Sequence, residues 1–146
     1  MKLIVVATDE EYKLARKRFK GKKIIKTGVG AINVIEKLRH IPRRVTIINF
    51  GYAGSNSIPI GTEVTVGESR LYHPNVIYNE KEYTLDKESI IKCFTSNDFV
   101  TETKIKKPCV FDMELAYICA LGFKKVKAIK IVSDNLSLEQ YEEEIK

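Results

Sequence analysis

Cysteine and histidine are both scarce in this chain of 146 residues, which contains three of the former and two of the latter. The cysteines, Cys93, Cys109 and Cys119, are odd in number and show no spacing typical of metal ligands. His40 and His73 belong to no ligand motif either, so we do not expect a structural metal site. In a reducing compartment, the three cysteines are predicted to be buried free thiols.

Long apolar runs are also missing. No stretch approaches the roughly 20 apolar residues that span a bilayer, so no membrane contact is expected. The apolar segment at residues 1–7 is too short for a signal peptide and leads directly into acidic residues. We therefore expect a cytoplasmic protein.

The chain carries a moderate excess of positive charge, with a net charge of +6, and its densest basic run covers residues 16–23. Such a run can bind nucleic acid. No aromatic stacking platform accompanies it, which favours a solvated helix end and no nucleic-acid partner. With 44% hydrophobic residues and no linker or repeat, the chain is expected to form a single domain over residues 1–146.

The run from Val45 to Ser55 is the centre of the sequence. Its first four residues are β-branched and predict a strand buried on both faces, which we expect to break at Gly51 and Gly54. Glycine lets another group approach the main chain closely, and loops at strand carboxyl ends often form ligand sites. A tight turn without a ligand explains the pattern equally well.

Strand and helix patterns alternate along the rest of the chain. Thr8 or Asp9 is expected to cap the first helix, and Ile32, Ile35 and Leu38 to form the inner face of the second. We expect strands at residues 2–7, 23–26, 62–69, 90–95 and 126–132, helices at 31–39 and 113–121, a polar hairpin at 76–85, and a short terminal helix from Ser137.

Three acidic residues, Glu11, Glu114 and Asp134, fall just past predicted apolar strands. Each alone is more often a helix cap or a surface charge. If the strands are mostly parallel, however, the three carboxylates can share one pocket. Carboxylates can protonate a leaving group, activate water and hold sugar hydroxyls, so the set is typical of glycosidic chemistry.

The chain resembles the nucleoside phosphorylase and nucleosidase superfamily, and is most similar to 5′-methylthioadenosine/S-adenosylhomocysteine nucleosidase. The matching segments occur in the family's order from the first strand to the last; they are residues 7–11, 27–33, 49–54, 60–66, 111–114 and 131–134. The resemblance implies an α/β fold, a three-layer α/β/α single domain with a mixed, mostly parallel sheet. It also implies a homodimer, a purine nucleoside substrate and no cofactor.

The resemblance implies a role for each matching residue. Glu11 corresponds to the residue that activates the attacking water, and Asp134 to the acid that protonates the departing purine at N7. Glu114 corresponds to the residue that binds the ribose hydroxyls. Further substrate-binding residues are expected at Met113, beside the sugar, at Phe99 and Val100, beside the base, and at Ser133, Ala53 and Gly54.

Several residues depart from the family's pattern. Phe50 stands where several phosphorylases place a phosphate-binding arginine, which favours water over phosphate as co-substrate. Tyr52 replaces a small residue and could narrow the pocket. The chain is also shorter than the family's members. Hydrolysis of a purine nucleoside is the function we expect, with phosphorolysis, or nucleoside binding without catalysis, as alternatives.

Overall fold

The computed structural model describes residues 1–73 and 81–145. This part of the chain forms nine strands and four helices. In order they are β1 (Lys2–Val6), α1 (Asp9–Arg18), β2 (Lys23–Lys26), α2 (Ala31–Leu38), β3 (Thr46–Ser55), β4 (Glu63–Thr65), β5 (Glu68–Leu71), β6 (Tyr83–Thr84), β7 (Lys92–Thr95), β8 (Cys109–Asp112), α3 (Leu115–Ala120), β9 (Lys125–Asp134) and α4 (Leu138–Glu144).

The strands form one mixed sheet around β3. β1 and β9 lie on either side of β3 and run parallel to it, and β2 lies outside β1, also parallel. β8 is antiparallel to the end of β3 and continues through the parallel strands β7 and β5. β6 and β4 add antiparallel edges on β5 and β9. Five of these eight pairings are parallel, which confirms the predicted mixed, mostly parallel sheet.

Helices cover both faces of this sheet because its central strands are apolar on both sides. Leu3 and Val5 of β1 pack with α2 and α3 on one face. Ile4 and Val6 pack with Ala15 of α1 on the other. This arrangement confirms the three-layer α/β/α architecture, and it places the amino-terminal end of α1 directly after the carboxyl end of β1.

One edge of β3 is left open in its middle. β1 pairs with β3 only as far as Asn49, and β8 begins to pair with it at Gly54. The residues from Phe50 to Ala53 therefore lie in a gap between the two neighbouring strands. On its opposite edge, β3 pairs with β9 along its whole length up to Gly54. Backbone groups in the gap are thus available to side chains.

Three predictions about local structure are wrong. β3 does not break at Gly51 and Gly54 but continues to Ser55, because these glycines accommodate neighbouring carboxylates rather than a turn. The helix predicted at 113–121 is α3, which begins only at Leu115, because residues 109–112 form the buried strand β8 and Glu114 is the N-cap. The strand predicted at 62–69 is divided at Gly67 into β4 and β5.

The inner face of α2 also differs from the prediction. Ile32 and Ile35 are 73% and 45% exposed, whereas Val34 and Leu38 are fully buried. Val34 and Leu38 are four residues apart and therefore share one face of the helix. This face packs against the sheet, whereas Ile32 and Ile35 point away from it. The prediction that Leu38 lies inside is confirmed.

Several other expectations can be compared with the structure. All three cysteines are buried free thiols, as predicted. Among the described residues, none of the helices has the length and apolar character needed to span a membrane. Half of the predicted hairpin at 76–85, residues 76–80, lies outside the described residues; in the other half, Tyr83–Thr84 pairs with β5.

Candidate functional site

Glu11 extends from the first turn of α1 into the gap beside β3. Thr8 and Glu11 form a capping box, in which the Glu11 amide donates to Thr8 Oγ1. Glu11 Oε1 accepts from the amides of Ala7 and Thr8, at 2.8 and 3.3 Å. Its Oε2 accepts from the Tyr52 amide, at 2.8 Å. The capping and pocket interpretations of Glu11 are therefore compatible, since one carboxylate both caps α1 and reaches β3.

Gly51 is required for this approach. A Cβ atom at Gly51 would lie 2.4 Å from Glu11 Oε2, closer than non-bonded atoms can approach. Glu11 is only 6% exposed, and burial raises the pKa of its carboxyl group. The charge of Lys130 and the amides of Tyr52, Ala7 and Thr8 oppose that rise.

Asp134 lies at the end of β9, where the pairing with β3 is irregular. Ala53 pairs with Val132 and Gly54 with Asp134, so Ser133 is an extra residue in a bulge. Bulges re-aim the side chains next to them. Asp134 Oδ1 accepts from Ser133 Oγ at 2.7 Å, and Oδ2 accepts from the Leu136 amide at 2.9 Å.

The Asp134 carboxyl group is buried against β3. The residue is 1% exposed, and a Cβ atom at Gly54 would lie 2.8 Å from its Oδ2. Burial raises the pKa of Asp134, and the hydrogen bonds from Ser133 and from the following amides only partly oppose that rise. Asp134 therefore holds a proton to a higher pH than an exposed aspartate.

Glu114 reaches the site from the loop between β8 and α3. Its Oε2 accepts from the Gly30 amide at 3.0 Å, and the residue is 7% exposed. Gly30, at φ +90°, ends the Gly-x-Gly turn after β2, so this turn does place an amide beside an anion. Burial is the largest cause that raises the pKa of Glu114, and the neighbouring charge of Asp112 is the second.

An ion pair between Asp112 and Lys130 completes the charged groups. Lys130 Nζ lies 3.0 Å from Asp112 Oδ2, and both side chains are buried. Asp112 also accepts from Thr95 Oγ1 at 2.5 Å and from the Leu115 amide at 2.8 Å. Burial opposes ionisation of Asp112, but Lys130 and these hydrogen bonds keep its pKa below the usual value.

These groups are close enough to influence one another. Burial disfavours the Lys130 ammonium, yet the charges of Asp112, Glu114 and Glu11 raise its pKa. Burial and the carboxylates of Glu11, Glu114 and Asp134 likewise raise the pKa of Tyr141. The arrangement joins three acids around the gap in β3, two of which lie near a buried cation. It offers one group that can hold a proton, Asp134, and one that backbone donors favour as an anion, Glu11.

Three solved structures with this architecture match the chain over nearly its whole length. S-adenosylhomocysteine nucleosidase from Streptococcus pyogenes, in complex with 5-methylthiotubericidin, matches with a TM-score of 0.74 and 17% identity, over 99% of this chain and 89% of that chain. Futalosine hydrolase from Helicobacter pylori matches with a TM-score of 0.75 and 14% identity, over 99% and 90%.

An MTAN from Chlamydia trachomatis bound to MTA matches with a TM-score of 0.78 and 17% identity, over 99% and 88% of the two chains. Comparison of the sequence with protein-family models finds no match, and none of the curated proteins matches it either. The likeness is therefore one of fold. The chain has the nucleosidase fold. The fold that the sequence resemblance implies is confirmed.

Within this nucleosidase fold, three of the predicted site residues lie around one gap in the sheet. Glu11, Glu114 and Asp134 lie around the gap. For Glu11 and Asp134 this agrees with the prediction that carboxylates at the ends of parallel strands share one pocket, since β1, β3 and β9 are parallel. Glu114 arrives differently, because β8 is antiparallel to β3. The remaining predicted residues are buried or half-buried; they are Ala53, Gly54, Phe99, Val100, Met113 and Ser133.

Two residues of this site are not found by the sequence analysis. Lys130 looks like an interruption of an apolar strand, but it lies on the same face of β9 as the buried residues Ala128 and Val132. That alternation is the signal that could have identified it. Tyr141 lies in an acidic terminal helix that looks solvated, and no sequence signal distinguishes it.

Proposed function

We propose that this protein hydrolyses the N-glycosidic bond of a purine nucleoside related to methylthioadenosine or adenosylhomocysteine. The observation that carries the proposal is the set of three buried carboxylates, Glu11, Glu114 and Asp134, around the gap in β3 of a nucleosidase fold. Each is held by different backbone donors, so their positions are fixed before a substrate binds. Preorganised groups of this kind lower the barrier to bond cleavage.

In this proposal, Glu11 orients and activates the water that attacks the sugar. A general base must be ionised. Burial raises the pKa of Glu11, and three amide donors together with the charge of Lys130 oppose that rise and favour the anion. Since both carboxylate oxygens are already engaged by amides, the water must use their remaining lone pairs. This geometry fixes the direction from which the water attacks.

Asp134 protonates the leaving base. An adenine anion is a poor leaving group, so a proton has to reach the base as the bond breaks. The raised pKa of Asp134 supports this role, because it keeps a larger fraction of the carboxyl group protonated near neutral pH. Ser133 Oγ and the Leu136 amide hold the group in one orientation.

Glu114 binds the ribose hydroxyls. One of its oxygens is tied to Gly30, which leaves the other for the substrate. Its pKa is raised in the protein alone. Two hydroxyl donors would favour the anion and lower that pKa again, so substrate binding should be coupled to proton release from Glu114.

Hydrolysis is favoured over phosphorolysis by the surroundings of Phe50. This residue is 2% exposed and its ring packs edge-on against Phe19, with ring centres 5.3 Å apart. Arg18 lies over both rings and pairs with Glu63 at the surface, so it is already engaged. Lys130 is similarly occupied by Asp112. These two cations are therefore poorly placed to hold a phosphate.

The decisive experiment is product analysis. Purified protein is incubated with methylthioadenosine, adenosylhomocysteine, adenosine or inosine, with and without phosphate, and free base is separated by chromatography. Free base without phosphate is the expected result. Release only with phosphate would establish a phosphorylase instead. Nucleoside binding with no base released under either condition would indicate a binding protein without catalytic activity.

Matched variants connect the product to the site. Glu11→Gln and Asp134→Asn are expected to reduce turnover by at least about 100-fold, the usual contribution of a positioned acid or base. Glu10→Gln is the control for the first, because Glu10 is the exposed neighbour of Glu11 in the same helical turn. Equal activity of Glu11→Gln and Glu10→Gln would refute the assigned role of Glu11.

A further inference from the structure

The amino-terminal ends of four parallel strands form one edge of the sheet. β2, β1, β3 and β9 are neighbours in this order and run in the same direction. Lys23 is paired with Leu3, which follows Lys2. Lys2 is paired with Thr46, and Thr46 with Lys125. Because neighbouring strands lie about 4.8 Å apart, the four strand starts form a row of about 14 Å.

The segments that meet at this edge carry only one sign of charge. Residues 1–3, 22–23, 39–45 and 121–127 include lysines and arginines but no acidic residue. The acids of the candidate site lie toward the other end of the same strands. The rise along β3 from Thr46 to Gly51, which contacts Glu11, is about 16 Å. Charge is therefore separated along the sheet, with cations at one end and the three carboxylates at the other.

The cations at this edge differ in whether they already have partners. Arg43 donates to the carbonyls of Ile41 and Arg39, at 2.6 and 3.2 Å, and its guanidinium lies over the ring of Phe123. It therefore holds the end of α2 in place. Four other cations are exposed and form no ion pair or side-chain hydrogen bond with any described residue; they are Lys2, Lys23, Arg44 and Lys125. We refer to these four as the basic edge.

A cleft of about 290 Å³ lies within the basic edge. Lys23 and Arg44 both line it, and they come from the strands on either side of β1. The rest of its lining is apolar and consists of Met1, Leu3, Ile41, Pro42 and Val45. A cleft of this size suits one small ring system rather than a larger ligand. Its chemistry matches a ligand with an apolar ring and negative charges on both sides of it.

We propose that the basic edge binds single-stranded nucleic acid, with one base in the cleft and the neighbouring phosphates on Lys23 and Arg44. Lys2 and Lys125 attract further phosphates of the same strand. A duplex keeps its bases stacked inside and cannot place one in the cleft, so a single strand is the form that uses both features. The basic run at 16–23 has no aromatic platform, but here the apolar cleft takes the place of one.

Fluorescence anisotropy with a labelled oligothymidylate of about ten nucleotides tests the phosphate contacts. Lys23→Gln combined with Arg44→Gln should weaken binding by about tenfold or more. The slope of log affinity against log salt should decrease in magnitude by about 1.4, since each phosphate contact to a single strand contributes about 0.7.

The matched control combines Lys106→Gln with Lys107→Gln, which changes the net charge by the same amount. These lysines are exposed and lie at the opposite end of β3, where Asn56 donates to the Lys107 carbonyl at 2.8 Å. This control should bind the oligonucleotide like the original protein. An equal loss of affinity in the two pairs of variants would show a general attraction by positive charge, and it would overturn the proposal.

Two other ligands test the role of the cleft without changing the protein. An abasic strand of the same length should bind about fivefold more weakly or worse, because no base is buried, but with the same salt slope. A duplex of the same length should also bind more weakly than the single strand. If either ligand binds as tightly as the oligothymidylate, the proposal of a single-strand site is wrong.

The proposal is independent of the proposed function, and the two can fail separately. Asp134→Asn should bind the oligonucleotide like the original protein. Lys23→Gln with Arg44→Gln should leave both nucleoside turnover and urea unfolding unchanged, because the two side chains are exposed and lie away from the acids. An inactive protein that binds the oligonucleotide would refute the proposed function alone. An active protein that does not bind it would refute the role of the basic edge alone.

Discussion

Lys130 and Asp112 form an ion pair inside the sheet, with Nζ 3.0 Å from Oδ2 and both side chains buried. They come from β9 and from the last residue of β8, which both pair with β3. Lys130 also affects the protonation of Glu11 and Glu114. The pair therefore links the stability of the sheet to the charge of the candidate site.

Breaking this pair should be costly. Lys130→Met leaves the Asp112 carboxylate buried without its cation, which typically costs about 3–5 kcal/mol of unfolding free energy. Adding Asp112→Asn to Lys130→Met should restore much of the lost unfolding free energy, because asparagine can still form hydrogen bonds with Thr95 and Leu115. Urea unfolding measures both effects. Lys127→Met, at an exposed position of the same strand, should change stability by less than about 0.5 kcal/mol. A loss in Lys130→Met no larger than this control would contradict the argument.

The close approach of Gly51 and Glu11 gives a second prediction. Gly51→Ala places a methyl carbon 2.4 Å from Glu11 Oε2, too close for non-bonded atoms, so it should destabilise the protein by about 1–3 kcal/mol. In a Glu11→Ala background the same change should cost much less, since the conflicting carboxylate is absent. A double-mutant cycle based on urea unfolding measures this coupling. Equal costs in both backgrounds would show that Gly51 is required for some other reason.

The sequence predicts some of the residues in these contacts but not others. Glu11 could be predicted because its position depends on local signals, namely the end of an apolar strand and a capping pattern. Asp134 follows its strand in the same way. The order of strands and helices and the layers they form follow from such local patterns as well.

Contacts between distant segments were harder to predict. Glu114 meets the Gly30 amide only because β8 returns antiparallel along the end of β3, and short apolar runs do not reveal strand direction. The role of Gly51 depends on a carboxylate 40 positions earlier in the chain. Whether Lys130 faces the core or the solvent depends on its partner Asp112. Tertiary packing decides each of these.

Asp134 provides a prediction about pH. Its pKa is higher in the folded protein than in the unfolded chain, so the folded state keeps a proton that the unfolded state has released. The stability associated with this proton is complete below the unfolded pKa, near 4, and is lost as pH rises through the folded pKa. Asp134→Asn cannot ionise and escapes this loss. Its unfolding free energy relative to the original protein should therefore increase from about pH 4 upward and then level off.

Urea unfolding at a series of pH values measures this difference. Asparagine suits the position, because its oxygen can accept from the Leu136 amide while its nitrogen donates to Ser133. Glu142→Gln, in an exposed part of α4, is the control for a simple change of net charge. A difference between Asp134→Asn and the original protein that stays constant with pH would show that the pKa of Asp134 is not raised.

The capping box links the stability of α1 to the proposed reaction. Thr8→Ala removes the hydroxyl that accepts from the Glu11 amide, and it should cost about 1 kcal/mol of stability, whereas Thr8→Ser should cost little.

Because the first turn of α1 also positions the Glu11 carboxylate, Thr8→Ala should lower turnover of methylthioadenosine several-fold at a temperature where the protein is fully folded. The loss should appear in the rate constant rather than the Michaelis constant, since Thr8 acts through Glu11. If Thr8→Ala lowers stability but leaves the rate constant unchanged, the amides of Ala7 and Tyr52 suffice to hold the carboxylate.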